Sequence, residues 1–131
     1  MKYLCDTNIL SELARPLPNK GVIEWSYMIS KIFVSVITIE EIYFGLSRKP
    51  NKRIQDWIES FLNDKCRILP VIAKIAKKAG QLRGILGAKG IVRTQADIFI
   101  AATALIHNLT LVTRNERDFK ECGISVVNPF S

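Results

Sequence analysis

Short apolar segments alternate along this chain with longer stretches in which apolar residues return every three or four positions. The short segments lie at residues 2–5, 32–36, 66–69, 109–113 and 124–127, and their apolar, often β-branched content predicts five strands. The intervening stretches read as helices. Ile9, Leu10 and Leu13 start a short one that stops before Pro16 and Pro18, since a proline disfavours helical backbone in the residue ahead of it. Further helices are predicted over 22–28, over 38–46 with an end near Gly45 and Pro50, and over 53–62 with Ile54, Trp57, Ile58, Phe61 and Leu62 on one face.

Ile72, Ile75, Ala76, Ala79, Leu82 and Leu86 then recur at helical spacing, which puts Lys74, Lys77, Lys78 and Arg83 mostly on the opposite, wet face. Gly84, Gly87 and Gly90 are expected to break this helix into a loop. Residues 97–107 are almost wholly apolar and alanine-rich, so that helix is buried on most sides, and a turn or short helix is expected around 115–119. Continuous apolar strands alternating with helices argue an α/β fold with a mostly parallel sheet covered on both faces. No repeat, linker or low-complexity segment interrupts it, and 131 residues fit one domain over 1–131.

Composition narrows the setting. No run approaches the roughly 18 apolar residues of a membrane span, and the first residues lack the pattern of a secretory signal. Cys5, Cys66 and Cys122 are odd in number and widely spaced, which is expected of reduced thiols in a soluble cytoplasmic protein, with Cys5 and Cys66 as core residues and no zinc site. The net charge of +7 is lopsided: residues 65–96 carry +8 with no acid, leaving −1 for the rest. A polyanionic partner and a merely solvated lysine face both account for that stretch.

In open parallel sheets ligands bind beyond the carboxyl ends of the strands. That rule selects Asp6, which ends the first strand; Glu41, in the helix after the second; Asp97, opening the buried helix; and Asp118, after the fourth strand. Each has a structural alternative. Asp6 can cap the first helix, Thr38 to Glu41 and Thr94 to Asp97 have the form of capping boxes, and Asp118 can be a solvated turn residue. Capping does not require all four at one end of one sheet, however. Crowded carboxylates repel unless protonated or neutralised, and an all-oxygen site suits Mg²⁺ or Mn²⁺, ions that support hydrolysis at phosphorus. Other chemistries fit poorly, since the sole histidine, His107, ends a buried helix and no GxxxxGK[ST] loop is present.

Four stretches carry a resemblance: MKYLCDTNILSEL with Arg15, Pro16 and Trp25, SVITIEEIYFGL, ADIFIAATALIHNLTLVTRNERDF and GISVVNPF. In order and spacing the chain resembles the PIN-domain ribonucleases, in particular VapC-type toxins and their FitB-like branch. Its specific pieces are DTN after strand one, S-x-x-T-x-x-E from Ser35 to Glu41, D-x-x-I-A-A from Asp97 to Ala102 and T-R-N-x-x-D-F from Thr113 to Phe119. The resemblance implies a three-layer α/β/α fold, a Mg²⁺-dependent endoribonuclease acting on RNA, a cognate VapB-like antitoxin, and dimers or larger assemblies. It further implies that Asp6, Glu41, Asp97 and Asp118 are catalytic, with Asp6 and Asp97 as direct metal ligands and Thr7, Asn8, Thr113 and Asn115 orienting acids or substrate. Lys74, Lys77, Lys78 and Arg83 are candidates for holding RNA. Gln95-Ala96 departs from the family by standing where many relatives have a proline.

Two other classes compete. A phosphoacceptor receiver domain would need an aspartate ending strand three, where the chain reads CRILP. A non-catalytic PIN-like module binding RNA or protein would not need the full quartet. A D-x-D phosphatase is disfavoured by Asp6-Thr7-Asn8.

Overall fold

The computed structural model of the protein describes residues 2–131. Five strands, β1 (Tyr3–Cys5), β2 (Ile32–Ser35), β3 (Cys66–Leu69), β4 (Thr110–Val112) and β5 (Val126–Val127), form one sheet in the order β3-β2-β1-β4-β5. Every neighbouring pair is parallel. Between them run α1 (Thr7–Leu13), α2 (Lys20–Tyr27), α3 (Val36–Arg48), α4 (Lys52–Lys65), α5 (Ala73–Ala88) and α6 (Gln95–His107), with a 3₁₀ turn over Glu116–Phe119. Among the described residues no helix is long and apolar enough to cross a membrane.

Successive strand side chains point to opposite faces, so each strand feeds two cores. Cys5, Ile32, Val34 and Val112 pack with Ile9, Leu10, Val22, Trp25, Ile42 and Ile58 from α1 to α4. Leu4, Leu69 and Leu111 pack with Ile75, Leu82, Leu86, Ile98 and Ile100 from α5 and α6. The result is the expected three-layer arrangement. Cys5 and Cys122 are buried and Cys66 is half-buried, all as free thiols.

Three expectations are corrected. The helix expected to break at Gly84 and Gly87 runs through both to Ala88, although each glycine costs about 1 kcal/mol relative to alanine. Buried Leu82 and Leu86 hold it, and the helix ends where Gly90 adopts φ +75° and Ile91 N–H reaches Leu86 O at 2.9 Å. Second, Ile72, assigned to the buried face, precedes the first turn and is 45% exposed, and Ala76 is exposed as well. Third, β2 stops at Ser35, whose Oγ accepts from Ile37 N–H at 3.1 Å, so α3 starts at Val36 rather than at 38.

Residues 129–131 return to α2. Asn19 caps that helix and also accepts from Ser131 N–H at 3.1 Å. A Cβ on Gly21 would collide with the Pro129 carbonyl oxygen. Nearby, the Arg114 guanidinium lies 4.7 Å from the centre of the Phe130 ring.

Candidate active site

The chain leaves β1 toward β2 and β3 on one side of the sheet and returns to β4 and β5 on the other. Connections departing in opposite directions open a crevice at the carboxyl ends of the strands where the order switches. Asp6 stands there, directly after β1 and 5% exposed. It does cap α1, since its Oδ1 accepts from Thr7 N–H at 2.8 Å. Its Oδ2 accepts from the Thr113 hydroxyl at 2.8 Å and from Asn8 Nδ2 at 3.2 Å. Burial pushes the Asp6 carboxyl above its usual value, the bonds from Thr113, Thr7 and Asn8 draw it down, and the charge of Asp118 pushes it up again.

Thr7 and Asn8 tie this strand end in two directions. The Thr7 hydroxyl donates to Glu41 Oε1 at 2.6 Å and stands 3.3 Å from Thr38 Oγ1. Asn8 Nδ2 also donates to Thr113 Oγ1 at 3.2 Å, while its Oδ1 accepts from Arg114 N–H at 2.9 Å. Asn115 N–H in turn donates to Thr113 Oγ1 at 3.0 Å. Glu41 sits in the second turn of α3 and is held by Thr7; Thr38, fully buried one turn earlier, heads no capping box.

Helices that return the chain to a parallel sheet run against the strands, so α6 brings its N-terminus to the crevice. Thr94 caps it, Oγ1 accepting from Asp97 N–H at 3.1 Å, which realises half of the anticipated box. Burial and the charge of Asp6 push the Asp97 carboxyl up to about 6; Asp118 and Glu41 add to this and the Thr94 hydroxyl opposes it. Asp97 therefore senses all three other acids. Asp118 lies half-buried in the 3₁₀ turn.

Among the described residues, no three acid, histidine or cysteine side chains form a ready cage for an ion. The charges of Asp6, Asp118 and Glu41 all act on Asp97, and that of Asp118 on Asp6. The donor chemistry does fit a hard divalent cation. The donors are carboxylate oxygens in surplus, and the neighbouring thiols Cys5 and Cys122 are pushed up by burial, which leaves no thiolate to favour a softer metal.

The model of the PIN domain matches residues 3–124. The chain belongs to the PIN domain family. Toxin FitB of Neisseria gonorrhoeae is 33% identical over 135 residues, covering 97% of each chain. VapC ribonuclease Y4jK of Sinorhizobium fredii is 30% identical over 133 residues, covering 95% of each. Among solved structures, VapBC2 from Rickettsia felis bound to a DNA fragment from their promoter gives a TM-score of 0.87 at 28% identity over 98% of both chains.

Within this PIN domain no ion pair among the described residues joins the basic residues of α5 to the four acids. Lys74, Lys77 and Arg83 are exposed and Lys78 half-buried; Lys74 and Lys77 stand away from the buried Ile75, Ala79 and Leu82, whereas Arg83 borders a hollow shared with Leu86, Arg93 and Ile98. A polar hollow of about 530 Å³ instead adjoins Asp118, lined by Arg114, Asn115, Arg117 and Lys120. An apolar hollow of about 400 Å³ around Trp25, Trp57 and Phe61 includes Lys31 and Lys65, the residues preceding β2 and β3, and so lies at the opposite, amino edge of the sheet. His107 is an exposed residue in the last turn of α6. Two residues escaped the sequence reading. Glu12, buried, takes Asn19 N–H at 2.8 Å and pairs with Arg15, which shapes the connection from α1 to α2. Arg93, by sequence one more member of the basic tract, donates from Nε to Asp118 O at 2.9 Å.

Proposed function

We propose that the protein is a divalent-metal-dependent endoribonuclease and the toxin of a toxin–antitoxin pair, with Asp6, Glu41, Asp97 and Asp118 as its acidic site. What supports this reading is that β1 ends at Asp6, that Thr7 binds Glu41 at 2.6 Å, that Asp97 lies in the first turn of α6 and that the strand order switches at β1. The ribonuclease and toxin names of its relatives, and solved complexes such as VapBC2, support RNA as substrate and a VapB-like antitoxin as partner in a larger assembly.

Asp6 and Asp97 would hold the ion, which is Mg²⁺ or Mn²⁺ by donor type. A bound ion of this kind supplies charge neutralisation and activation of water for attack at phosphorus. The chain's own residues do the rest. Thr7 fixes the direction of the Glu41 carboxylate, Asn8 and Thr113 keep Asp6 from rotating, and the turn after Thr113 delivers Asp118 with Asn115 beside it. Glu41 and Asp118 complete the acidic site and can accept hydrogen bonds from water or substrate hydroxyls. Burial and the neighbouring acids raise Asp97 above an ordinary aspartate, and a bound cation would favour its ionised form.

Purified protein incubated with structured RNAs should cut them with Mg²⁺ or Mn²⁺ and not in excess EDTA. Asp6→Asn and Asp97→Asn should each abolish cutting while the far-UV circular dichroism is retained. Expression without a partner should slow growth of the host, and the Asp97→Asn variant should not. Undiminished cutting in EDTA, or by both variants, overturns the site.

A further inference from the structure

We propose that Arg93 is a positioning residue that fixes the Asp118 turn against the start of α6, and so sets the placement of Asp118 relative to Asp97. The inference rests on the acidic-site reading above for its functional arm only. Arg93 Nε donates to Asp118 O at 2.9 Å and Nη2 to Arg117 O at 3.4 Å, while Nη1 reaches Val92 O at 3.2 Å. Carbonyls at the end of a helical turn favour a cation; Arg117 O also accepts from Lys120 N–H at 3.4 Å, so the 2.9 Å bond to Asp118 O is the principal contact. Arg93 also immediately precedes Thr94, the residue that caps α6 and receives the Asp97 N–H. One half-buried guanidinium thus joins the backbone under two acids that are 21 positions apart in sequence.

The geometry separates this role from simple charge. A guanidinium presents several donors in a fixed plane, whereas a lysine ammonium is a point charge on a flexible stem and cannot reproduce that fork. Arg93 directs three of its five N–H donors to main-chain oxygens of its own chain, unlike the exposed lysines of α5.

The test compares wild type with Arg93→Lys and Arg93→Met in the full chain. Amide hydrogen exchange without metal should accelerate about tenfold or more at Asp118 and Cys122, whose N–H groups bond within the turn, and stay unchanged at β1. The Mn²⁺ concentration that half-saturates the rise in Tm should increase for both variants, Lys giving no rescue. The salt dependence of RNA binding should be unaltered for Arg93→Lys. Unchanged exchange in the turn overturns the proposal, as does a uniform rise that includes β1, which would make Arg93 a support of the whole fold. Because exchange is read without metal or RNA, its outcome stands even if the protein cuts no RNA; failure of the nuclease reading would show instead as absent cleavage by wild type.

Discussion

The hydroxyl of Thr7 donates to Glu41 Oε1 across 2.6 Å, joining the residue after Asp6 to a helix 34 positions later in the chain. A carboxylate held by a short charge-assisted bond has one preferred direction. Thr7→Val keeps the shape of the side chain and removes the donor. The variant should lose about 1 kcal/mol of stability and about 10–100-fold in RNA cleavage, the usual cost of removing a group that orients a metal-site residue. Thr7→Ser should retain most of the activity. Full cleavage by Thr7→Val, measured as initial rate at saturating metal, would show that Glu41 needs no such guide.

Burial and neighbouring acids raise the folded-state pKa of Asp97 to about 6 and raise that of Asp6 as well, against about 3.9 for an unfolded aspartate. An acid shifted upward binds its proton more tightly in the folded state, so its contribution to stability is greatest below about pH 4 and is lost as pH rises toward 6. In EDTA, the Tm of Asp97→Asn should therefore exceed that of wild type at pH 7, and the gap should close on going down to pH 4. The Thr94 cap survives this change because it receives the main-chain N–H of residue 97. Adding Mg²⁺ or Mn²⁺ should raise the wild-type Tm, by binding the native state alone, and raise that of the variant little. A variant that melts below wild type at pH 7 would assign Asp97 to helix capping.

The central strands β1, β2 and β4 were legible because helices cover both of their faces, which leaves continuous apolar runs at residues such as Ile32 to Val34 and Leu109 to Val112; β3 and β5 lie at the edges and are less buried. Asp6 and Asp97 were legible for a related reason: a polar residue where a buried element meets the carboxyl edge of a parallel sheet has few places to point. What the sequence hid is tertiary. Gly84 and Gly87 read as breakers because local propensity carries no information about the core that Leu82 and Leu86 enter. Thr38 and Glu41 have capping-box spacing, and only the packing of α1 against α3 reveals that Thr7 claims Glu41. Arg93 was indistinguishable from its basic neighbours, since the carbonyls it meets lie 24 and 25 positions away.

Gly21 is required by close approach rather than by backbone conformation. The Pro129 carbonyl occupies the place where a side chain would begin, and Asn19 and Ser131 exchange hydrogen bonds alongside. Gly21→Ala should displace residues 129–131 from α2. The expected loss is about 1–3 kcal/mol, read as a lower midpoint in urea unfolding, with the Arg114 side-chain resonances losing the ring-current shift imposed by Phe130. An unchanged midpoint would mean that the segment yields at no cost, and a gain would follow only from the better helix propensity of alanine.

The exposed lysines of α5 and the basic residues around the Asp118 hollow make different demands on RNA. Lys74 and Lys77 stand on the outer face of α5, and no ion pair among the described residues involves them, so both are available to phosphates. Binding of a single strand weakens with salt by a log–log slope of roughly 0.7 for each phosphate neutralised. Replacing Lys74 and Lys77 together with Gln should therefore flatten the slope by about 1.4 if each meets one phosphate, and should weaken binding alike for RNAs of different sequence, because phosphate contacts carry no base information. Lys20→Gln, on α2, serves as the control for net charge alone; its side chain is 87% exposed and pairs weakly with Glu24 at 4.0 Å. An equal flattening in Lys20→Gln reduces the effect to net charge. No flattening in the double variant leaves the α5 face to solvation or to a protein partner, and Arg114, Arg117 and Lys120 beside Asp118 become the residues to replace next.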